Sequence, residues 1–216
     1  MKKLLFVCIV TSLISFTPLN PTAASAAQKV RAVKCTATEA VGHTAKVVAP
    51  AQKTFTKFPK KFTLTTNCGT IVITTVGNKA PWTLTELSTL AKAGYFDGSL
   101  CHRLTTAGIF VLQCGDPTAT GSGGPGFSYP DENLPANTQN NYPAGTVAMA
   151  NSGPGTNGSQ FFLVFGDTSL GPNYTIWGKI TKGLNIVQAI AKAGVKGGGA
   201  DGTPNQRIAI TKVKVN

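Results

Sequence analysis

Chemistry that depends on metals, thiolates or activated nucleophiles finds little to work with in this chain. It has two histidines, His43 and His102, and its five cysteines include no C-x-x-C pair. A histidine-rich or thiolate zinc centre is therefore not expected. Ser159 does not sit in a G-x-S-x-G turn, and the sequence scarcely supplies a base for it. No metal and no cofactor are expected. Arginine, phenylalanine, tyrosine and glutamine remain, concentrated in two segments. One runs Phe96-Asp97-Gly98-Ser99-Leu100-Cys101-His102-Arg103-Leu104 and continues at Phe110-Val111-Leu112-Gln113-Cys114-Gly115-Asp116-Pro117. The other runs Gly145-Thr146-Val147-Ala148-Met149-Ala150-Asn151 and continues at Thr156-Asn157-Gly158-Ser159-Gln160-Phe161-Phe162. Such a set is unusual for hydrolysis and natural for a reaction that breaks no covalent bond.

These segments closely resemble signature stretches of the cyclophilin family of peptidyl-prolyl isomerases. Gly121–Gly126, Asp131-Glu132-Asn133 and Tyr174–Gly178 fit that family too, so the resemblance covers roughly residues 62–216. It implies an all-β-dominated fold, an eight-stranded antiparallel closed β-barrel capped by two α-helices, with a shallow groove on its outer face. It also implies roles. Arg103 matches the catalytic arginine, and Phe110, Val111, Phe162 and Leu170 match the walls of a proline pocket. Gln113, Ala150, Asn151 and Gln160 match positions that hold the substrate backbone, and Tyr174 occupies a position where the family often has His or Tyr. Proline-containing polypeptides are the implied partners. The chain also departs from the pattern. The span from Arg103 to Gln113 is about two residues longer than in common members, at Thr105–Ile109, and Cys101 stands where an aromatic is common. Ser169 falls where animal members carry a tryptophan that contacts cyclosporin.

The implied roles agree with the physics of peptide-bond rotation. Conjugation gives a barrier of about 18–20 kcal/mol. The two X-Pro isomers are close in energy, so the barrier and not the equilibrium limits the change. In the transition state the proline nitrogen gains a lone pair, and a guanidinium aimed at it binds more strongly there than in the ground state. Plainer readings stand beside these. Arg103 alone reads as a surface ion-pair residue, and Gln113 and Gln160 as solvated. Phe161, on the opposite side of its strand from Phe162, reads as core, and alternation makes His102 a hydrogen-bonded core residue. A different functional class also competes: a secreted module or holdase that grips proline-containing segments in the same groove, with incidental isomerase activity. Arg103 favours the enzyme, because a pure binder needs no donor at the proline nitrogen.

Several elements must position these groups. Phe62–Val76 alternates around Asn67-Cys68-Gly69 as a β-hairpin. Thr83 and Glu86 have capping-box spacing after Pro81, and Leu84, Leu87, Leu90 and Ala91 form one helical stripe ended by Gly94. A second helix fits Leu184 to Ala193, with Gly194 as its stop. Ile109–Gln113, Thr146–Ala150, Phe161–Phe165, Thr175–Ile180 and Ile208–Val215 read as strands. Many short strands and two well-separated helices predict a closed barrel capped by helices.

The chain starts with a different signal. Lys2 and Lys3 precede an apolar run from Leu4 to Phe16, and Ala24-Ser25-Ala26 offers a cleavage site, so residues 1–26 read as a signal peptide and the mature chain starts near Ala27. A retained anchor is the alternative, but the run is short of the roughly 20 residues a spanning helix needs. Secretion or attachment to the cell envelope is expected. Of the net charge of +12, residues 27–61 carry +7 and residues 62–216 only +3. The 27–61 stretch reads as a basic, flexible, solvated linker suited to an anionic envelope surface. Nucleic acid is not an expected partner, because the rest of the chain lacks a basic groove interleaved with aromatics. A monomer is expected.

Four cysteines remain in the mature chain, which allows three pairings. If Arg103 and Gln113 both face the groove, Cys101 shares the face of Arg103 and Cys114 points the other way. A bond between them is then excluded unless a bulge resets the alternation. That leaves Cys35 with Cys68, against the alternative of four free thiols.

Overall fold

The structure, a computed structural model, describes residues 32–216. The expected signal peptide and the start of the basic stretch lie outside those residues. Among the described residues, no helix is long and apolar enough to cross a membrane.

Short β-prone runs form strands β1 (Lys61–Thr66), β2 (Gly69–Thr75), β3 (Ser99–Leu100), β4 (Arg103–Thr105) and β5 (Val111–Cys114). They continue with β6 (Thr146–Met149), β7 (Phe161–Val164), β8 (Ile176–Lys182), β9 (Asp201–Gly202) and β10 (Ala209–Val215). Together they make one ten-stranded sheet in the order β3-β10-β1-β2-β8-β6-β7-β5-β4-β9. The sheet curls until its ends meet, because β3 and β4 are halves of one stretch. β3 pairs with β10 and β4 with β5. Across the break, Cys101 N–H donates to the Ile208 carbonyl and His102 N–H to that of Gln113. Counted once, this stretch gives the expected eight staves. The count of ten arises from the break and from β9, a stub on the other edge of β4.

Alternation places Phe62 and Leu64 of β1 and Ile71 and Ile73 of β2 inside the barrel. Leu104, Leu112, Val147, Leu163 and Trp177 join them. Trp177 packs edge-on against Phe62 and Phe161, at ring separations of 5.3 and 5.7 Å. Each such side chain contributes about 1.5–3 kcal/mol by leaving water. In β6 and β7 every residue is buried, and in β5 all but Gln113. A second apolar layer must therefore cover the outer face of these strands, and that layer is the site described below.

Helix α1 (Pro81–Lys92) lies against β10, and α2 (Leu184–Ala193) against β2. The α1 stripe of Leu84, Leu87, Leu90 and Ala91 is buried. Its N-terminus has no capping box. Instead the Glu132 carboxylate accepts from Trp82 N–H, Thr83 N–H and Thr83 Oγ1, each at 2.9 Å, bringing a negative charge to the helix's positive end. Glu86, the residue whose spacing suggested the box, accepts from Ala51 N–H through both carboxylate oxygens. Burial pushes its carboxyl above the ordinary value, against the pull of that hydrogen bond.

Residues 32–60 contain no helix or strand, yet they differ from a solvated linker in lying along the domain. Thr36 pairs with Asn67 in both directions, His43 N–H donates to the Pro117 carbonyl, and the Lys46 ammonium to that of Ala93. The Arg207 guanidinium bonds the Ala40 carbonyl, Phe55 N–H donates to Thr85 Oγ1, and Lys92 sits 5.0 Å over the Phe55 ring. Val33, Ala45, Val48 and Phe58 pack against the core. These apolar residues dock singly, so no periodicity reveals them.

Cys35 is bonded to Cys68, and Cys101 to Cys114 with a Cα–Cα distance of 4.0 Å. The second bond overturns the parity argument. Gln113 is the register partner of Arg103 and also accepts the His102 N–H, so two residues of one strand face one of the other. This bulge resets the alternation. Leu104 and Cys101 both face the core, although three positions apart, at 0% and 4% exposure. Cys101 therefore meets Cys114 inside. The same bulge moves His102 off the core face. Its ring is half-buried, and both nitrogens are enclosed without a protein partner among the described residues, where an internal hydrogen bond was expected. Burial holds its pKa below the ordinary value.

Candidate active site

The outer layer is built on one row of the sheet. Arg103 of β4 opposes Gln113 of β5, Gln113 opposes Phe162 of β7, and Phe162 opposes Ala148 of β6. Opposed residues share a face, so the row carries a cation, an amide, a ring and a small residue side by side. Val111, Val164 and Tyr142 pack with Phe162 and Ala148 into a cluster separate from the barrel core, flanked by Ile109, Ala150, Leu170 and Tyr174. Phe162, Tyr142 and Tyr174 form a triangle of rings with centroids 5.6–6.2 Å apart. The Tyr142 hydroxyl donates to the Tyr174 carbonyl and accepts its N–H, fixing that corner. Asn141 clamps Leu170, bonding both its carbonyl and its N–H. Ser169 Oγ accepts from Asn140 N–H and so closes the same turn.

A cavity of about 140 Å³ opens in this layer, lined by Arg103, Ile109, Val111, Gln113, Ala150, Asn151, Phe162, Leu170 and Tyr174. A void of about 150 Å³ holds one benzene-sized ring, so this one suits a single small ring rather than a peptide segment. The segment has room beside it. A glycine-rich hollow of about 540 Å³ adjoins the cavity and shares Gln113, Ala150 and Asn151 with it. Gln160 lines that hollow.

The structure thus brings together all the groove residues expected from the sequence except Phe110. Phe110 alternates away from Ile109, Val111 and Gln113, and its ring packs against Phe165 at 5.9 Å. Ile109, within the longer hairpin, lines the cavity in its stead. Sequence reasoning also missed Tyr142, Asp116 and Asp201. Tyr142 had no local signal.

Polar contacts hold the cation. The Arg103 guanidinium donates from Nε and Nη2 to the two Asp201 oxygens, at 2.8 and 2.6 Å, and from Nη1 to Gln113 Oε1 at 3.3 Å. The hydrogen bond to Asp201 holds Arg103 above the ordinary arginine value and Asp201 below the ordinary carboxylate value. Gln113 Nε2 donates to Gln160 Oε1 at 2.7 Å, and Gln160 Nε2 donates to the carbonyls of Gly121 and Gly123. Those glycines belong to a loop folded around the Asp116 carboxylate. It accepts from Thr118, Thr120, Gly121 and Gly123. Asn151 Nδ2 donates to the Asn173 carbonyl, tying the two sides of the groove.

The family model for cyclophilin-type peptidyl-prolyl cis-trans isomerases matches residues 61–215. The chain belongs to that family. It is 47% identical over 161 residues to a probable peptidyl-prolyl cis-trans isomerase B of Mycobacterium tuberculosis, covering 69% of this chain and 52% of that one. The Mycobacterium leprae protein of the same description is 43% identical over 164 residues, covering 71% and 56%. The chain thus spans about half the length of these curated relatives. Against peptidyl-prolyl cis-trans isomerase A of Mycobacterium tuberculosis, identity is 36% over 172 residues, with 71% and 91% covered. Among solved structures, a cyclophilin-type isomerase of Cryptosporidium parvum matches with a TM-score of 0.63 at 25% identity, covering 74% of this chain and 98% of its own. The same protein determined in the presence of the dipeptide Ala-Pro matches at a TM-score of 0.62.

Proposed function

We propose that this protein catalyses cis–trans rotation about X-Pro bonds of exported polypeptides and assists their folding outside the cytoplasm. The observation that carries the reading is a guanidinium fixed at the rim of a ring-sized cavity walled on one side by Val111, Phe162, Leu170 and Tyr174. In the reaction, Val111, Phe162, Leu170 and Tyr174 grip the proline ring. Gln113, Gln160 and the backbone around Ala150 and Asn151 hold the flanking residues in the adjoining hollow. One end of the bond can then turn against the other. Arg103 meets the lone pair that appears on the proline nitrogen as conjugation is lost. A ~10⁵-fold acceleration corresponds to about 7 kcal/mol. One hydrogen bond from a charged donor contributes about 1.5–3 kcal/mol of that, and desolvation against the Val111, Phe162 and Leu170 walls contributes to the rest. The names of the mycobacterial relatives and the Ala-Pro structure of the Cryptosporidium protein support this substrate class.

The test is a protease-free isomerisation assay on a short X-Pro peptide. Arg103→Ala lowers kcat/KM at least about ten-fold. Its melting temperature hardly moves, since an exposed ion pair contributes about 0–1 kcal/mol. Phe162→Ala weakens peptide binding. Wild-type rates from Arg103→Ala would refute the mechanism. Export rests on the sequence of residues 1–26 and agrees with two disulfides, which persist in oxidising compartments. Mature protein recovered outside the cytoplasm and starting at Ala27 supports it; full-length chain in the cytosol refutes it. Lys34, Lys46, Lys53, Lys57, Lys60 and Lys61 are basic side chains of the 27–61 segment, which can thereby present its charge to an anionic envelope.

A further inference from the structure

Nothing in the sequence ties Asp201 to the groove. It follows a run of glycines after α2, and nearly a hundred residues separate it from Arg103. The fold joins them through β9. Thr105 opposes Asp201 and Leu104 opposes Gly202, so Arg103 and Asp201 are diagonal neighbours on one face of the β4–β9 pair. The backbone of this stub is held on both sides. Thr106 N–H donates to the Ala200 carbonyl at 2.8 Å, Lys196 N–H donates to that of Thr203 at 2.8 Å, and Val195 bridges to Pro204. Asp201 thus presents two oxygens from a fixed position, and the guanidinium fork meets both.

We propose that Asp201 is a positioning residue of the isomerase reaction, holding the Arg103 guanidinium by Nε and Nη2 so that Nη1 stays beside Gln113 at the rim of the cavity. This rests on the isomerase reading of the site. An arginine side chain has several rotatable bonds, and one strand offers it nothing to lean on. Gln113 alone, at 3.3 Å, fixes one nitrogen but not the plane. The two-pronged contact fixes the plane, which is what a bidentate pair adds over a point charge. Since the donor matters most when the lone pair forms, its orientation should appear in kcat rather than in KM.

The experiment compares wild type, Asp201→Ala, Asp201→Glu, Arg103→Ala and the Arg103→Ala/Asp201→Ala double variant. Kinetics on an X-Pro peptide are read beside the NMR signal of the Arg103 Nε–H. Asp201→Ala is expected to lower kcat about ten-fold, as misorienting one reacting group can, with KM changed less than about two-fold. Asp201→Glu should restore part of the loss, and Asp201→Ala should cost nothing further once Arg103 is absent. The Nε–H should exchange slowly with solvent in wild type and quickly in Asp201→Ala. An equal loss in both backgrounds would show that Asp201 supports the fold and would overturn the proposal. So would an unchanged or higher kcat in Asp201→Ala. If wild type itself failed to isomerise the peptide, the isomerase reading would fall. The Nε–H exchange would still decide whether Asp201 holds the guanidinium.

Discussion

Asp116 lines neither the cavity nor the hollow beside it, yet its substitution by Asn should disturb both stability and turnover. The carboxylate is fully buried, with Oδ1 accepting from the N–H and Oγ1 of Thr118 at 2.8 and 2.7 Å. Oδ2 accepts from Thr120 N–H and Oγ1 and from the N–H groups of Gly121 and Gly123, at 2.8–3.3 Å. A Cβ built on Gly123 would lie 2.0 Å from Oδ1, so glycine is required for that approach. In Asp116→Asn the side-chain amide would keep one acceptor and point an NH₂ at donors. A hydrogen bond to a charged group contributes about 1.5–3 kcal/mol, and the several lost here are not additive, so about 2–4 kcal/mol is expected. At about 2–4 °C per kcal/mol for a domain of this size, the melting temperature should fall roughly 5–15 °C. The loop also carries the Gly121 and Gly123 carbonyls that hold Gln160, and through Gln113 it reaches Arg103. A fall of about three- to ten-fold in kcat/KM should therefore accompany the loss of stability.

Acid provides an independent check. Burial alone would raise the Asp116 pKa, but the hydrogen bonds from Thr118, Gly123 and Gly121 outweigh it and hold the group below its ordinary value of 3.8. A depressed carboxyl stabilises the fold fully above the unfolded-state pKa, and that stabilisation is lost as pH falls through the folded-state value. The gap in melting temperature between wild type and Asp116→Asn should thus be widest near neutral pH and narrow below about pH 4. Melts across pH with parallel peptide assays measure both effects. Equal melting temperatures at pH 7, or a gap that grows in acid, would refute this account of the loop.

Two further outcomes follow from supports outside the groove. Replacing Cys101 and Cys114 together by Ala should cost about 3 kcal/mol, the loop-closure value for a span of this length. It should also lower turnover, since the bond cross-links the strands that carry Arg103 and Gln113; unchanged denaturant midpoints would contradict this. Glu132→Gln should cost about 1–2 kcal/mol in urea unfolding by removing the charge at the α1 N-terminus. A loss below roughly 0.3 kcal/mol would mean the amide caps as well as the carboxylate.

Residues whose partners lie within a few positions were legible in the sequence. α2 runs from Leu184 to Ala193 as its stripe and Gly194 predicted, and the first hairpin turns at Asn67-Cys68. The runs that resemble the cyclophilin signature stretches bring Arg103, Val111, Gln113, Ala150, Asn151 and Phe162 around one cavity. Alternation also shows why Phe110 fails as a wall, since Val111 and Gln113 occupy the groove face. What could not be read depends on a change of rule or a distant partner. One extra residue opposite Gln113 turns Cys101 inward and His102 off the core face, and no composition signal marks a bulge. The α1 cap comes from Glu132, 50 positions from Trp82, while Glu86 at the suggestive spacing serves Ala51. The packing of residues 32–60 rests on single contacts with no period for pattern reading to find.

The Arg103 guanidinium is therefore held from two sides by supports of different character. On one side stands Asp201, about half exposed, so its attraction is screened by salt. On the other stands Gln113, backed by Gln160 and by a loop folded around the buried Asp116. These bonds are mostly between neutral groups, and the one charge in them is enclosed, so salt affects them little. The two-pronged contact with Asp201 still fixes the plane of the guanidinium, and added salt should loosen this support before the other. The buried loop supplies a reference for the amide beside the guanidinium. One support is thus sensitive to salt and the other is not. The sheet produces that division simply by pairing β4 with a full strand on one edge and a two-residue stub on the other.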